Sequence, residues 1–383
     1  MRGRAVLLGA LTVVLLLGAC DEAAPEADPP SPSPTASSPA SAPGSPSPSA
    51  SPSEPDPAPQ RPLTIAFAGD VHFEGALEGR LDDPATALVS ATGTLAAADL
   101  AMVNLETSVG SGGRPQPGKR YTFQAPATAL TALAAAGVDV ATMANNHALD
   151  FGRVPLPGMF DAIDAAAAAD PSLAVVGIGR DVREAFRPAV VDVEGTVVAL
   201  LGASIADADP TADPSGQWAA TRTAAGTADA IDPGRLLRAV EKADAEADVV
   251  VVYMHWGIQG ESCPAGSQRS LARALVRRGA DIVVGTHAHR LQGDGPLGAG
   301  YVAYGLGNYV WYSSSSGPSA DAGVLTLTVQ PASSPGLRAT VTGAAWEPAR
   351  IGADGLPTAL SGQPLEEFRA DLAALRECAG LAG

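Results

Sequence analysis

The chain has 383 residues, 46% hydrophobic and 4% aromatic, enough apolar material for one large domain or two small ones. Its formal net charge of −17 argues against a nucleic-acid backbone as partner, because binding to phosphate backbones needs clustered Lys and Arg. A small phosphorylated substrate is not excluded, since a bound metal supplies positive charge locally.

The first twenty residues read as a targeting segment. Arg2 and Arg4 make a basic start, Val6 to Leu17 an apolar stretch, and Leu17-Gly18-Ala19-Cys20 a small-residue cleavage site. The segment resembles a bacterial lipoprotein signal, in which Cys20 becomes the lipidated N-terminus. An ordinary signal peptide with an incidental cysteine is the alternative. Lipidation anchors a protein to a membrane without spanning it, which implies an extracytoplasmic location and the membrane as a partner. No later stretch of the sequence is long and apolar enough to cross a bilayer. Residues 21–62 are mostly Pro, Ser and Ala with a few acids. Lacking apolar side chains to bury, they cannot offset their ordering entropy and read as an extended tether.

From Leu63 onward β-rich runs alternate with Ala-rich helical stretches. Strands are predicted at Leu63–Ala68, Leu100–Val103, Val138–Met143, Ala174–Ile178, Thr196–Ala203, Asp248–Met254, Asp281–Val284, Tyr301–Tyr304, Val324–Val329 and Leu337–Val341. Helices are predicted at Thr86–Ala98, Ala127–Ala136, Gly158–Ala169, Pro233–Glu246, Gly266–Arg278 and Pro364–Cys378. Strand, helix, strand implies an α/β fold with parallel pairing and helices on the sheet faces; the late strands, with no helices between them, read as antiparallel. The domain is placed at residues 63–350, with a C-terminal extension at 351–383.

The polar motifs follow the carboxyl ends of the strands, where open α/β sheets bind ligands. All five histidines are among them: His72, His147, His255, His287 and His289. Asp70 and His72 stand two apart after a strand, a spacing at which extended backbone points both side chains the same way. His287 and His289 share that spacing. Glu106 just past its strand also suits a turn cap, Asn146-His147 suits turn chemistry, and His255 suits a satisfied core histidine. Each bland reading stands alone, but together they need every histidine of the chain to be independently structural. Mixed His, Asn and carboxylate donors favour Mn, Fe or Zn over Ca or Mg. Gly305-Leu306-Gly307-Asn308 is a tight turn or a pocket wall, and Lys119-Arg120 is a basic spot for an anionic substrate or an ordinary solvated loop.

These motifs resemble those of the calcineurin-like metallophosphoesterase superfamily, and more closely the bacterial capsule synthesis protein family CapA, associated with poly-γ-glutamate capsules. The resemblance runs from about Thr64 to about Trp311. It rests on Gly-Asp-Val-His at 69–72, Asn-Leu-Glu at 104–106, Ala-Asn-Asn-His-Ala-Leu-Asp-Phe-Gly at 144–152, His-Trp-Gly at 255–257, Gly-Ala-Asp-Ile-Val-Val-Gly-Thr-His-Ala-His at 279–289 and Tyr-Gly-Leu-Gly-Asn-Tyr at 304–309. It implies a four-layer αββα sandwich and two divalent transition metals. Asp70, His72 and His289 would hold one, and Asn146, His255 and His287 the other. Glu106 falls where the superfamily has a bridging Asp, and His147 on the histidine that assists the leaving group.

The reading is a cell-envelope lipoprotein with a metal-dependent hydrolase site, acting on a phosphoester in the synthesis or export of an anionic capsule polymer, in the company of capsule-synthesis machinery. A non-enzymatic capsule component and an amide hydrolase acting on γ-glutamyl links are the alternatives. With Cys20 lipidated, Cys263 and Cys378 remain as two thiols outside the cytoplasm, where disulfides persist. A bridge between them would dock the C-terminal helix beside the site; two buried free thiols are the alternative.

Overall fold

Successive residues of the first strand face two different cores. In β1 (Leu63–Val71), Ile65 and Phe67 point to one side and Ala66 and Ala68 to the other, and all four are buried. A strand covered on both faces reads as a continuous apolar run, which is how β1 appears in the sequence. The structure, a computed structural model, describes residues 60–210, 218–312 and 317–381. Cys20, the signal segment and residues 21–59 of the tether lie outside the described residues.

The strands β1, β2 (Leu100–Leu105), β3 (Val140–Thr142) and β4 (Ala174–Val176) pair in parallel. A second sheet of six strands contains β5 (Ala189–Val193), β6 (Thr196–Ser204), β7 (Val249–Trp256), β8 (Ile282–His287), β9 (Asp294–Leu297) and β10 (Gly300–Ala303), in the order β9-β10-β8-β7-β6-β5. The chain then returns to the first sheet with β11 (Asn308–Val310), β12 (Asp321–Gln330), β13 (Thr340–Ile351) and β14 (Pro357–Ala359). That sheet reads β14-β13-β12-β1-β2-β3-β4, with β11 parallel to the end of β1.

The layer between the sheets holds Ile65, Phe67 and Met102 from one and Leu200, Val251, Tyr253 and Val284 from the other. Tyr253 crosses this layer and its hydroxyl donates to Ala68 O at 2.7 Å. The outer face of the first sheet is covered by α1 (Thr128–Ala135) and α2 (Leu156–Ala167), through Leu130, Leu133, Met159 and Phe160. The second is covered by α3 (Gly234–Asp244) and α4 (Gly266–Arg277), through Leu236, Val240, Leu271 and Leu275. This is the four-layer αββα sandwich. Each such large aliphatic or aromatic side chain contributes roughly 1.5–3 kcal/mol on full burial.

Three expectations need correction. The stretch Thr86–Ala98 is not one helix; it forms a 3-10 turn at Val89–Ala91 and a short helix at Gly93–Ala97. Gly93 and Thr92 sit mid-stretch, and both disfavour a helix interior. The strand expected at Leu337–Val341 begins at Thr340 and runs on to Ile351, its face alternating between exposed and half-buried for most of its length. Gly343 and Pro348 hid it, since neither residue favours strands, and proline is tolerated mainly at edges and bulges. The strand β10 is parallel to β8 although no helix separates them, because the hairpin strand β9 carries the chain back.

The C-terminal helix α5 (Gln363–Ala379) packs Phe368 and Leu372 on Leu291. Arg376 pairs with the buried Asp294 at 2.9 Å. Cys378 is disulfide-bonded to Cys263, in the loop after β7, with Cα atoms 5.7 Å apart. No helix among the described residues is long and apolar enough to cross a membrane.

Candidate metal centre

The parallel strands of both sheets end at one edge, and their ends deliver the polar motifs together. Asp70 and Glu106 come from the ends of β1 and β2, Asn146 and His147 from the turn after β3, His255 from β7, and His287 and His289 from the end of β8. The close approach of β1 and the turn before β11 demands glycine: a Cβ on Gly69 would lie 2.0 Å from Gly307 O. The same approach brings Asn308 level with Asp70.

Asp70, Glu106 and His289 each present a ligand atom within 4.8 Å of the other two. His289 Nδ1 lies 3.3 Å from Asp70 Oδ2, and Asn104 Nδ2 donates to Asp70 Oδ1 at 2.7 Å. Burial opposes charge on Asp70, yet the hydrogen bond from His289 and the nearby imidazoles hold its carboxyl at about 2. Burial likewise opposes charge on His289, but Glu106 and Asp70 raise it to about 9.

Beside this trio a second group converges. Asn146 Oδ1 is 2.7 Å from His255 Nε2, which is 3.2 Å from His287 Nδ1. His287 Nε2 faces Asp209 Oδ2 at 3.1 Å, so donation there leaves Nδ1 with a free lone pair. His255 Nδ1 lies 3.0 Å from Thr286 Oγ1, which orients that ring in the same way. Burial holds His255 at about 3 and His287 at about 4, in the neutral form that ligates metals. His287 and His289 adopt φ of 88° and 52°. Such backbone is sparsely populated by non-glycine residues and clusters at functional sites.

Glu106 lies between the two groups. Its Oε1 is 3.5 Å from His255 Nε2, 3.7 Å from His147 Nε2 and 4.0 Å from His289 Nε2. The residue is fully buried, and neither carboxylate oxygen has a hydrogen-bond partner. Burial, and then the charge of Asp70, push its pKa well above the usual carboxylate range. An ionised carboxylate without a partner is expensive in a protein interior, and a shared cation removes that cost. The donor set therefore fits divalent metal: Asp70, Glu106 and His289 on one side, and Asn146, His255, His287 and again Glu106 on the other.

His72 does not join them. Its Nε2 accepts from Tyr312 N at 3.1 Å and its Nδ1 lies 3.4 Å from Glu74 N, so both ring nitrogens are turned to main-chain amides. The expected common direction of Asp70 and His72 fails because the register slips between Asp70 and Val71 and the strand stops before His72. Its ring stacks on Phe123 at 4.7 Å, and Phe123 stacks in turn on His147 at 4.2 Å.

His147 is held in place. Its Nδ1 lies 2.6 Å from Asp150 Oδ2, which also accepts from Phe123 N at 2.7 Å, while its Nε2 faces Glu106. Burial, and then Lys119, hold its pKa well below the usual imidazole range. Lys119 is no solvated loop residue: its side chain is 1% exposed, paired with Asp150, hydrogen-bonded to Asn146 O and 4.5 Å from the Trp218 ring centre. Arg120 is exposed, its guanidinium 4.6 Å from the Tyr121 ring. Asn308 turns out to hold His289, with Oδ1 2.8 Å from Nδ1. Asp150, Asp209, Asn104 and Thr286 had no assigned role in the sequence reading. Of these only Asp209 lies outside the quoted motifs; Asp150, Asn104 and Thr286 carried a signal as members of them.

A family model described as bacterial capsule synthesis protein PGA_cap matches residues 64–313. Over 200 residues the chain is 34% identical to the capsule biosynthesis protein CapA of Bacillus anthracis, covering 50% of this chain and 45% of that protein. Over 174 residues it is 35% identical to the PGA biosynthesis protein CapA of Bacillus subtilis, covering 45% and 42%. The chain thus spans less than half the length of these relatives. Among solved structures, a putative 5'-nucleotidase from Staphylococcus aureus aligns with a TM-score of 0.43 and 15% identity, over 81% of this chain and 58% of that one.

Proposed function

The chain belongs to the bacterial capsule synthesis protein PGA_cap family, and from that premise we propose that it is an extracytoplasmic lipoprotein that hydrolyses a phosphoester during the making or export of an anionic capsule polymer. The observation that carries the hydrolytic reading is Glu106, a buried carboxylate with two unpartnered oxygens set among three imidazoles. When bound, paired divalent metals clamp phosphate oxygens and supply a nucleophilic hydroxide near neutral pH. The protein's own share is orientation and proton transfer. Asp209 and Thr286 fix the rings of His287 and His255, Asn308 fixes His289, and Asp150 aims Nε2 of His147 at the centre. From there His147 exchanges a proton with the departing oxygen.

The test is elemental analysis of the purified fragment 61–383 after reconstitution with Mn, Fe or Zn, followed by assay on generic phosphomonoesters and phosphodiesters. The expected result is up to two ions per chain and metal-dependent release of phosphate or alcohol. Absence of any ion overturns the site. Cleavage of γ-glutamyl amides with phosphoesters left intact overturns the bond class, and bound metal with neither activity leaves a capsule component that is not an enzyme.

The membrane part of the proposal rests on the basic start, the apolar stretch and Leu17-Gly18-Ala19-Cys20. Cys20→Ser is expected to release the protein from membranes or leave an unprocessed precursor. Equal labelling of wild type and variant by a fatty-acid analogue would refute the anchor.

A further inference from the structure

In a chain of net charge −17, five cations gather along one groove on the outer face of the second sheet. They are Arg183 and Arg187 on one wall and Arg235, Arg238 and Lys242 of α3 on the other, around a space of about 370 Å³. All five are exposed. One carboxylate, Glu246, lies among them, 3.8 Å from Lys242. None of the four arginines forms an ion pair among the described residues. Asp181, near Arg183 and Arg187, accepts instead from the main-chain amides of Arg183 and Glu184. Arg235 lies over the Phe186 ring at 5.9 Å, and Val182 and Pro188 add apolar floor.

The geometry points to a binding site for an extended polycarboxylate chain, lying along α3 with its carboxylates on the arginines and its methylene groups on the apolar floor. Three features select that occupant. Arg235, Arg238 and Lys242 stand at i, i+3 and i+7, so they share one helical face and span roughly 10 Å of axis. An α-linked polyamide advances about 3.3–3.6 Å per residue, and a γ-linked one, with two more backbone atoms in each repeat, advances further, so a short run of acidic residues covers that rail. The site is a groove within an acidic protein: a linear polymer engages it locally, whereas an anionic bilayer would also meet the repelling remainder of the surface. The rail leads to the metal centre's edge, because α3 begins where Ala230 N donates to Ser204 O at the end of β6. It finishes where Asp248 N returns to Val197 O at the strand's start.

The choice of polyglutamate as probe rests on the capsule reading; the charge of the groove does not. Binding of a fluorescent γ-linked oligoglutamate to the fragment 61–383 is measured by anisotropy at low and at physiological salt. Wild type is expected to bind, with affinity falling as salt rises. Arg235→Glu with Arg238→Glu should weaken binding on the order of tenfold or more at low salt, and Arg235→Gln with Arg238→Gln less. Arg277→Glu, a similar reversal on α4, should leave it unchanged. Melting temperatures confirm that the variants fold. No binding by wild type, equal binding by the double variants, or a groove-dependent preference for phosphatidylglycerol vesicles over the oligomer would overturn the proposal. The phosphoester assay above is read separately, so its failure and this one are distinguishable.

Discussion

Glu106→Gln is expected to lose most bound metal and to lower hydrolysis on the order of a hundredfold or more, since even indirect partners of ligands are worth 10–100-fold. The same change should not destabilise the metal-free protein. Without a cation the native side chain is buried with neither oxygen hydrogen-bonded and burial already opposes its charge, so a neutral amide of the same shape removes no favourable contact. The two effects separate in a melting experiment. Metal at a hundred times its dissociation constant should stabilise wild type by about 2.7 kcal/mol and the variant by much less. A wild-type melting temperature indifferent to Mn, Fe and Zn, or a variant that retains full metal, would refute the role given to Glu106.

Much of this cluster is legible in the sequence, because its parts obey local rules. The apolar run of β7, buried at every position, ends in His255, and the runs of β1 and β8 end in Asp70 and His287. Parallel strands that end on one edge put such residues together, and strand-then-helix order implies that edge. What was not legible depends on contacts far apart in sequence. Asp209 reaches His287 across 78 positions from a loop of Asp, Ala and Pro that looks like any turn. Lys119 reads as a surface cation beside glycine and proline, yet its ammonium is buried against Asp150. His72 matches the motif by spacing, but the slip at Asp70 and Val71 and the aromatic packing of Phe123 and Trp311 turn its nitrogens aside. The direction of a side chain past a strand end is a property of the packing around it, which spacing does not encode.

The last expected result concerns the division of labour between His147 and the histidines that point at metal. His147→Ala should lower kcat by roughly 10²–10⁴-fold, the usual contribution of a placed acid or base, with metal content unchanged. Its Nε2 faces the Glu106 carboxylate at 3.7 Å and its other nitrogen is committed to Asp150, so it is placed to meet substrate rather than to complete either donor group. Asp150→Asn should lower kcat less, by removing the acceptor that fixes the ring, and KM should move little in both variants. His287→Ala, by contrast, should remove most of one ion. On the proposal that His147 exchanges a proton with the leaving oxygen, its loss should be felt less by a nitrophenyl ester, whose departing oxygen needs little protonation, than by an alkyl ester. Metal loss in His147→Ala equal to that in His287→Ala would make it a ligand instead, and equal rate losses on both esters would remove it from the proton transfer.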